Sequence, residues 1–305
     1  MARLPLNTLP VFRAVAEAGN LRAAAQTLHL SHSAVSQQIR HLETQLGLTL
    51  FERAGRGIQL NEAGRALLAR VAPALALLDE GVHAAHEAAA GESVRLRVSS
   101  LPSFAQRWLL PRMGRWRERH PEVLLEVETS QQLADLPREG FHAALRYGRG
   151  QWPGLVSEAL FPSPMPMVLV GSPEAAQRLA GAEPPQIARE PLLGEQALWE
   201  AWFREAGYPV KVVPVAVFND GGMLLQAVEQ GMGLSLVREL LAADALDQGK
   251  LVKLSPLSIP YEGGHTYHLV YRPELADWPP LLALRAWLLS EIALAARRLD
   301  GHGPA

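Results

Sequence analysis

The spacing of apolar residues changes character once along this chain, near residue 94, and that change limits the fold to two unlike units. Before it, short helical repeats are divided by turn signals. Leu9, Phe12, Val15 and Ala16 fall on one face of a first helix, and Gly19 stands where a left-handed stop is expected. Asn20 then caps a second helix, Leu21 to Leu28, with Ala24, Ala25 and Leu28 inward. Ser31 or Ser33 caps a third, running to about Leu46, whose apolar face is Ala34, Val35, Ile39, Leu42 and Leu46. Two short runs, 48–51 and 58–60, flank an Arg- and Gly-rich tip and read as a hairpin. From Glu62 to about Ala90, Leu67, Leu68, Val71, Leu75, Leu78 and Val82 form one apolar stripe on a helix with no core of its own, so a partner helix is expected. Pro73 inside it predicts a kink or local break.

After residue 94 strands alternate with helices, which argues for a largely parallel α/β domain. Strands are expected at 94–100, 123–129, 142–147, 165–170, 213–218, 233–237 and 266–271. Helices are expected at 104–120, 173–180, 198–206, 223–230 and 281–298. The late strand at 266–271 suggests two lobes crossed twice by the chain. The expected domains are 1–61, a linker and dimerisation helix at 62–91, and 92–305. In the last, lobe I covers about 92–163 and 266–300, and lobe II about 164–265.

Composition narrows function. The 305 residues include no cysteine, which excludes disulfides, thiolate nucleophiles and thiolate metal sites. A formal charge of −2 looks indifferent to nucleic acid, but residues 1–66 carry seven Arg against four Glu, leaving +3 there and −5 on the rest. Residues 1–10 do not read as a signal peptide and no stretch reaches membrane-spanning length, so a cytoplasmic protein without membrane attachment is expected.

The segments AAAQTLHLSHSAVSQQIRHLETQLGLTLFER and GIQLNEAG resemble the winged helix-turn-helix of LysR-type transcriptional regulators. HAALRYGRGQWPGL, LWEAWFREAGYP and FNDGGMLLQAVEQGMGLSLV look like the effector domain of the family's glycine-cleavage-activator-like branch. The resemblance spans about residues 6–299. It implies an all-α winged helix-turn-helix, a long linker helix and a two-lobed, periplasmic-binding-protein-like α/β effector domain. It also implies double-stranded promoter DNA as partner, a homodimer associating further into a homotetramer, and RNA polymerase as a candidate contact.

In a helix-turn-helix the second helix enters the major groove. His32, Ser33 and Ser36 are therefore the candidates for base contact, with Gln37 and Arg40 one turn on reaching bases or phosphates. Arg53 and Arg56 on the wing are placed to meet the DNA backbone or minor groove. The family commonly has Gln where this chain has His32, which bears on base preference.

Ligands of open α/β sheets sit at the carboxyl ends of strands. Those ends supply Ser100, Ser103, Phe104, Tyr147, Phe218, Asn219 and Asp220 as candidate contacts for a small anionic effector such as an amino acid or organic acid. Each also has a structural use: Ser103, Asn219 and Asp220 can cap helices, and Phe104 can belong to the core. Gly148 and Gly150 do not form a dinucleotide fingerprint, because Pro153 stands where the last glycine belongs. No P-loop, HExxH or GxSxG motif is present, so neither an enzyme nor a cofactor is expected. The competing reading is a solute-binding protein or a non-regulatory ligand-binding module for residues 92–305.

Overall fold

The computed structural model describes residues 5–54, 57–90, 93–132, 134–162, 165–260 and 264–300, with side chains described except at 54, 80, 83–90 and 296–300. The chain divides into two compact units, Met1–Glu92 with Pro137–Gly140, and Ser93–Leu136 with Phe141–Ala305.

The first unit holds α1 (Leu9–Ala18), α2 (Leu21–Thr27), α3 (His32–Leu46), the hairpin β1 (Phe51–Ala54) and β2 (Gly57–Leu60), and α4 (Glu62–Ala90). Its turns follow from local chemistry. Gly19 and Gly47 end α1 and α3 at φ values of 64° and 68°, the left-handed region that favours glycine. Asn20 Oδ1 accepts from Ala23 N at 2.6 Å, and Ser31, rather than Ser33, caps α3 by accepting from Ala34 N. Leu9, Phe12, Val15, Ala24, Ala25, Val35, Ile39, Leu42 and Leu50 are buried together. The hairpin is held to this core from two sides: Glu43 Oε1 accepts from Leu50 N at 2.7 Å, and Ile58 N donates to Gly19 O.

Two expectations for α4 need correction. Of the kink or break expected at Pro73, the break does not occur, since the helix runs on through that position. Nor is its apolar stripe one face awaiting a partner. Val71 and Leu75 are buried in the unit's own core, and Leu67 and Leu68 pack against it. The physical reason is that three short helices leave one side of their core uncovered, and the first half of α4 closes it. Only Leu78 and Val82 stay exposed, at 61% and 60%.

The rest of the chain continues with β3 (Val94–Ser100), α5 (Pro102–Phe104), α6 (Met113–Arg119), β4 (Val123–Thr129), α7 (Leu136–Glu139), most of which counts with the first unit, β5 (Ala143–Gly148), β6 (Val156–Ala159) and β7 (Pro166–Gly171). There follow α8 (Pro173–Arg178), α9 (Pro184–Ile187), β8 (Leu192–Leu193), α10 (Gln196–Glu205), α11 (Gly221–Glu229), β9 (Leu234–Arg238), α12 (Glu239–Asp247), β10 (Val252–Pro260), β11 (Thr266–Tyr271) and α13 (Pro279–Asp300). The strands form two sheets, in the orders β4-β3-β5-β11-β6 and β10-β7-β9-β8.

The sheets are mixed rather than largely parallel. β3 lies parallel to β4 and β5, but β11 returns antiparallel to β5 and β6, and β7 is antiparallel to β9 and β10. The chain leaves the first sheet and re-enters it a hundred residues later, so the strand that closes the crossing runs against its neighbours. The helix expected at 104–120 is also not uniform. A π-turn occupies Ala105–Leu109 and a 3-10 turn Leu110–Arg112 before α6 begins. Pro111 explains the change of pitch, since it has no N–H to donate and its ring crowds the carbonyl four residues back. The expected strand at 213–218 reduces to one bridge, Leu193 to Ala216, beside Pro214, which has no N–H to donate to a ladder. Both sheets contribute to one continuous core: Leu96, Val98, Leu145 and Leu269 of the first sheet pack with Phe104 and Trp108, and Val168, Val170 and Val237 of the second belong to the same cluster.

Candidate nucleic-acid interface and effector site

In the first unit α3 is divided by its own periodicity. Val35, Ile39 and Leu42 are buried, and His32, Ser33, Gln37 and Arg40 are exposed with Ser36 half-buried between them. Positions 32, 33, 36, 37 and 40 repeat at helical spacing, so these five side chains share the outward face. Ser31 Oγ and Ser33 Oγ are 3.0 Å apart, and Arg40 Nε donates to Ser36 O at 3.3 Å, which lays the guanidinium along the helix. Arg53 is exposed on β1, and Arg56 lies outside the described residues. Asn61 ties the hairpin to α4: Oδ1 caps the helix by accepting from Gly64 N at 2.9 Å, and Nδ2 donates to Thr49 O at 2.8 Å. Gly64 has no room for a side chain, because a Cβ there would run into the Leu50 carbonyl. An outward helix face of hydrogen-bonding and cationic groups beside a basic hairpin suits phosphate and base-edge contact.

The second unit gathers its polar candidates around Tyr267, which the sequence reading missed. Tyr267 pairs in register with Tyr147 across β11 and β5, with ring centroids 4.9 Å apart. Burial pushes the Tyr267 phenol up to about 12; Arg238 opposes the shift, as does a hydrogen bond with Ser103, while the Tyr147 and Asp220 charges add to it. It is therefore a neutral hydroxyl. The Arg238 guanidinium lies over the Tyr147 ring at 4.2 Å, and His265 stacks on the same ring system at 5.7 Å. Asp220 caps α11, its Oδ1 accepting from Gly222 N at 2.9 Å and Met223 N at 3.0 Å. Gln131 Nε2 reaches across from the end of β4 to Asn219 O at 3.3 Å and Asp220 Oδ2 at 3.4 Å. Ser103 and the start of α11 meet directly, since a Cβ on Gly221 would sit 3.7 Å from Ser103 Cβ.

Two of the candidate contacts are buried side chains. Phe104 is fully buried, stacked on Trp108 at 5.0 Å and tilted against Tyr267 at 4.5 Å, so it is a core ring. Ser100 is likewise fully buried, with Oγ donating to Leu101 O at 3.3 Å. Ser103 does not cap a helix; Leu101 holds the N-cap position and Pro102 follows it. Phe218 is half-buried against the shared core, and Asn219 is exposed. Gly150, at φ 83°, is needed because its backbone closes over the His268 ring, where a Cβ would lie 2.7 Å from Cε1. Tyr267, Arg238 and Gln131 carried no local signal. Only the pairing of residues 120 positions apart brings Tyr267 to Tyr147.

A winged helix-turn-helix joined in one chain to a two-sheet ligand-binding domain defines a ligand-responsive, DNA-binding transcriptional regulator. Comparison with known proteins gives the family. Residues 6–65 match the bacterial regulatory helix-turn-helix of the lysR family, and residues 89–293 match the LysR substrate binding domain. The chain belongs to the LysR-type family of transcriptional regulators. It is 33% identical over 290 residues to the HTH-type transcriptional activator AmpR of Citrobacter koseri, covering 94% of this chain and 98% of that one. It is 30% identical over 297 residues to the glycine cleavage system transcriptional activator of Escherichia coli K12, covering 95% and 94%. The effector domain of AmpR from Pseudomonas aeruginosa superposes with a TM-score of 0.56 at 29% identity, covering 67% of this chain and 99% of that one. The match of residues 89–293 to the LysR substrate binding domain, in one chain with the helix-turn-helix, sets aside the solute-binding reading of residues 92–305. The family is one of regulators, not enzymes.

Proposed function

We propose that this regulator reads promoter DNA through His32, Ser33, Ser36, Gln37 and Arg40 in the major groove, with Arg53 and Arg56 on flanking phosphates. The observation that carries this reading is the division of α3, whose exposed face holds every one of the first five side chains and whose other face is core. Two half-sites call for a homodimer, and Leu78 and Val82 on the exposed part of α4 are the apolar positions left to form it. Dimers associate further into a homotetramer, and the DNA-bound assembly contacts RNA polymerase, as in the family. The protein works in the cytoplasm; no described helix is long and apolar enough to cross a membrane.

The effector is a small metabolite carrying a carboxylate. The Arg238 guanidinium over the Tyr147 ring, whose charge also acts on the Tyr267 phenol, favours an anionic group, and Asp220 with Gln131 offers a second polar end that suits an amino acid. Its response requires that the effector bind two states of the effector domain unequally.

Arg40→Ala tests the DNA face by fluorescence anisotropy across salt concentrations. Loss of one phosphate or guanine contact lowers affinity by about tenfold, and a phosphate contact also lowers the salt slope by about one. Unchanged affinity and slope would remove Arg40 from the interface.

A further inference from the structure

Arg107 lies in the π-turn and grips α11 at both ends. Its Nη2 donates to Gly222 O at 3.0 Å in the first turn, and its fork pairs with Glu229 at 2.6 and 3.3 Å in the last. Both side chains are largely buried, at 15% and 18% exposure, so the pair is screened less than a surface one. One turn further on, Arg112 forks onto Asp244 of α12 at 2.8 and 3.1 Å, donates to Trp108 O, and lies over the Trp108 ring. The segment after β3 is thus tied to both helices that pack beneath the second sheet. Gly222 completes the contact, because a Cβ there would run into Gln106 Oε1.

We propose that Arg107 is a positioning residue for the effector site: by holding α11 at its first and last turns it sets the spacing between Ser103 and the Asp220–Gly222 turn. This rests on reading that turn, with Ser103, as the effector site. A lysine could keep the Glu229 pair but could not also reach Gly222 O, since one ammonium cannot fork across the helix length.

Hydrogen–deuterium exchange on the full-length protein tests the proposal without any effector. Arg107→Met should raise exchange of the Gly222, Met223 and Leu224 amides by about tenfold or more, the factor a charged hydrogen bond supports, while β9 stays protected. Arg107→Lys should fall between Met and the wild type. Met at the wild-type rate, an equal rise in β9, or Lys no better than Met would each overturn it. The effector reading fails separately, if the Ser103→Ala/Arg238→Met double variant keeps its reporter response to a panel of the twenty amino acids and small organic acids. That outcome leaves the exchange result standing as a statement about α11 alone.

Discussion

The two units keep their candidate functional groups in opposite places. In the DNA-binding unit the contacts stand on an exposed helix face, and the core beneath, from Phe12 to Leu42, includes none of them. In the effector unit Ser100 and Phe104 are fully buried, Ser103 and Tyr267 nearly so, and Phe104 and Tyr267 belong to the main core. A groove-reading surface must project, because DNA is larger than the domain that reads it. A metabolite is smaller than the domain, so its contacts come from the same strand ends and helix starts that hold the sheets together. Function and stability should therefore separate in the first unit and be entangled in the second.

The largest expected effect follows at Phe104. Phe104→Ala should cost about 3–5 kcal/mol in urea denaturation, as for other large core rings, whereas changes on the outer face of α3 should stay within about 0.5 kcal/mol. A Phe104 variant of near-native stability would put that ring in the ligand site and break the contrast.

Acid should separate the units next. His142 is pushed down to about 4, chiefly by burial and then by the charges of Arg272 and Arg97, and its Nδ1 accepts from Arg97 N at 2.8 Å. The unfolded chain takes up a proton near the ordinary value while the native state refuses it. Stability is therefore full above about pH 6.5 and declines as pH falls towards 4, by up to about 3 kcal/mol. Denaturation monitored in the effector unit should show this slope and His142→Gln should flatten it; an unchanged slope in the variant would assign the loss to other groups.

The smallest effect sharpens the comparison inside α4. Leu78→Ser with Val82→Ser should leave the melting temperature of the DNA-binding unit in place and weaken self-association by about tenfold in sedimentation, since both side chains lie outside the core. Val71→Ser should instead unfold the unit. Equal effects from the two substitutions would mean that the stripe is a single face after all.

The local signals in the sequence carried far in the first unit because its structure is made of local contacts. Asn20, Gly19 and Gly47 mark helix ends through hydrogen bonds and φ values decided within four residues. The outward face of α3 follows from spacing alone. Arg107 shows the limit: on the sequence it is one arginine in an expected helix, with Glu229 lying 122 residues away. The π-turn that aims it, the return of β11 against β5, and the burial of Val71 and Leu75 each depend on which surfaces remain uncovered once the elements meet.

What the sequence determined by itself was the class of each element and the groups it offers: helix caps, apolar periods, the basic reading head and a chain without thiols. The tertiary structure alone decided which of those groups stand together. Tyr267 with Tyr147 and Ser103, Arg238 over Tyr147, and Arg107 along α11 are pairings between distant segments. Periodicity is a property of neighbours a few residues apart, and so it states a side chain's face but not what that face will meet.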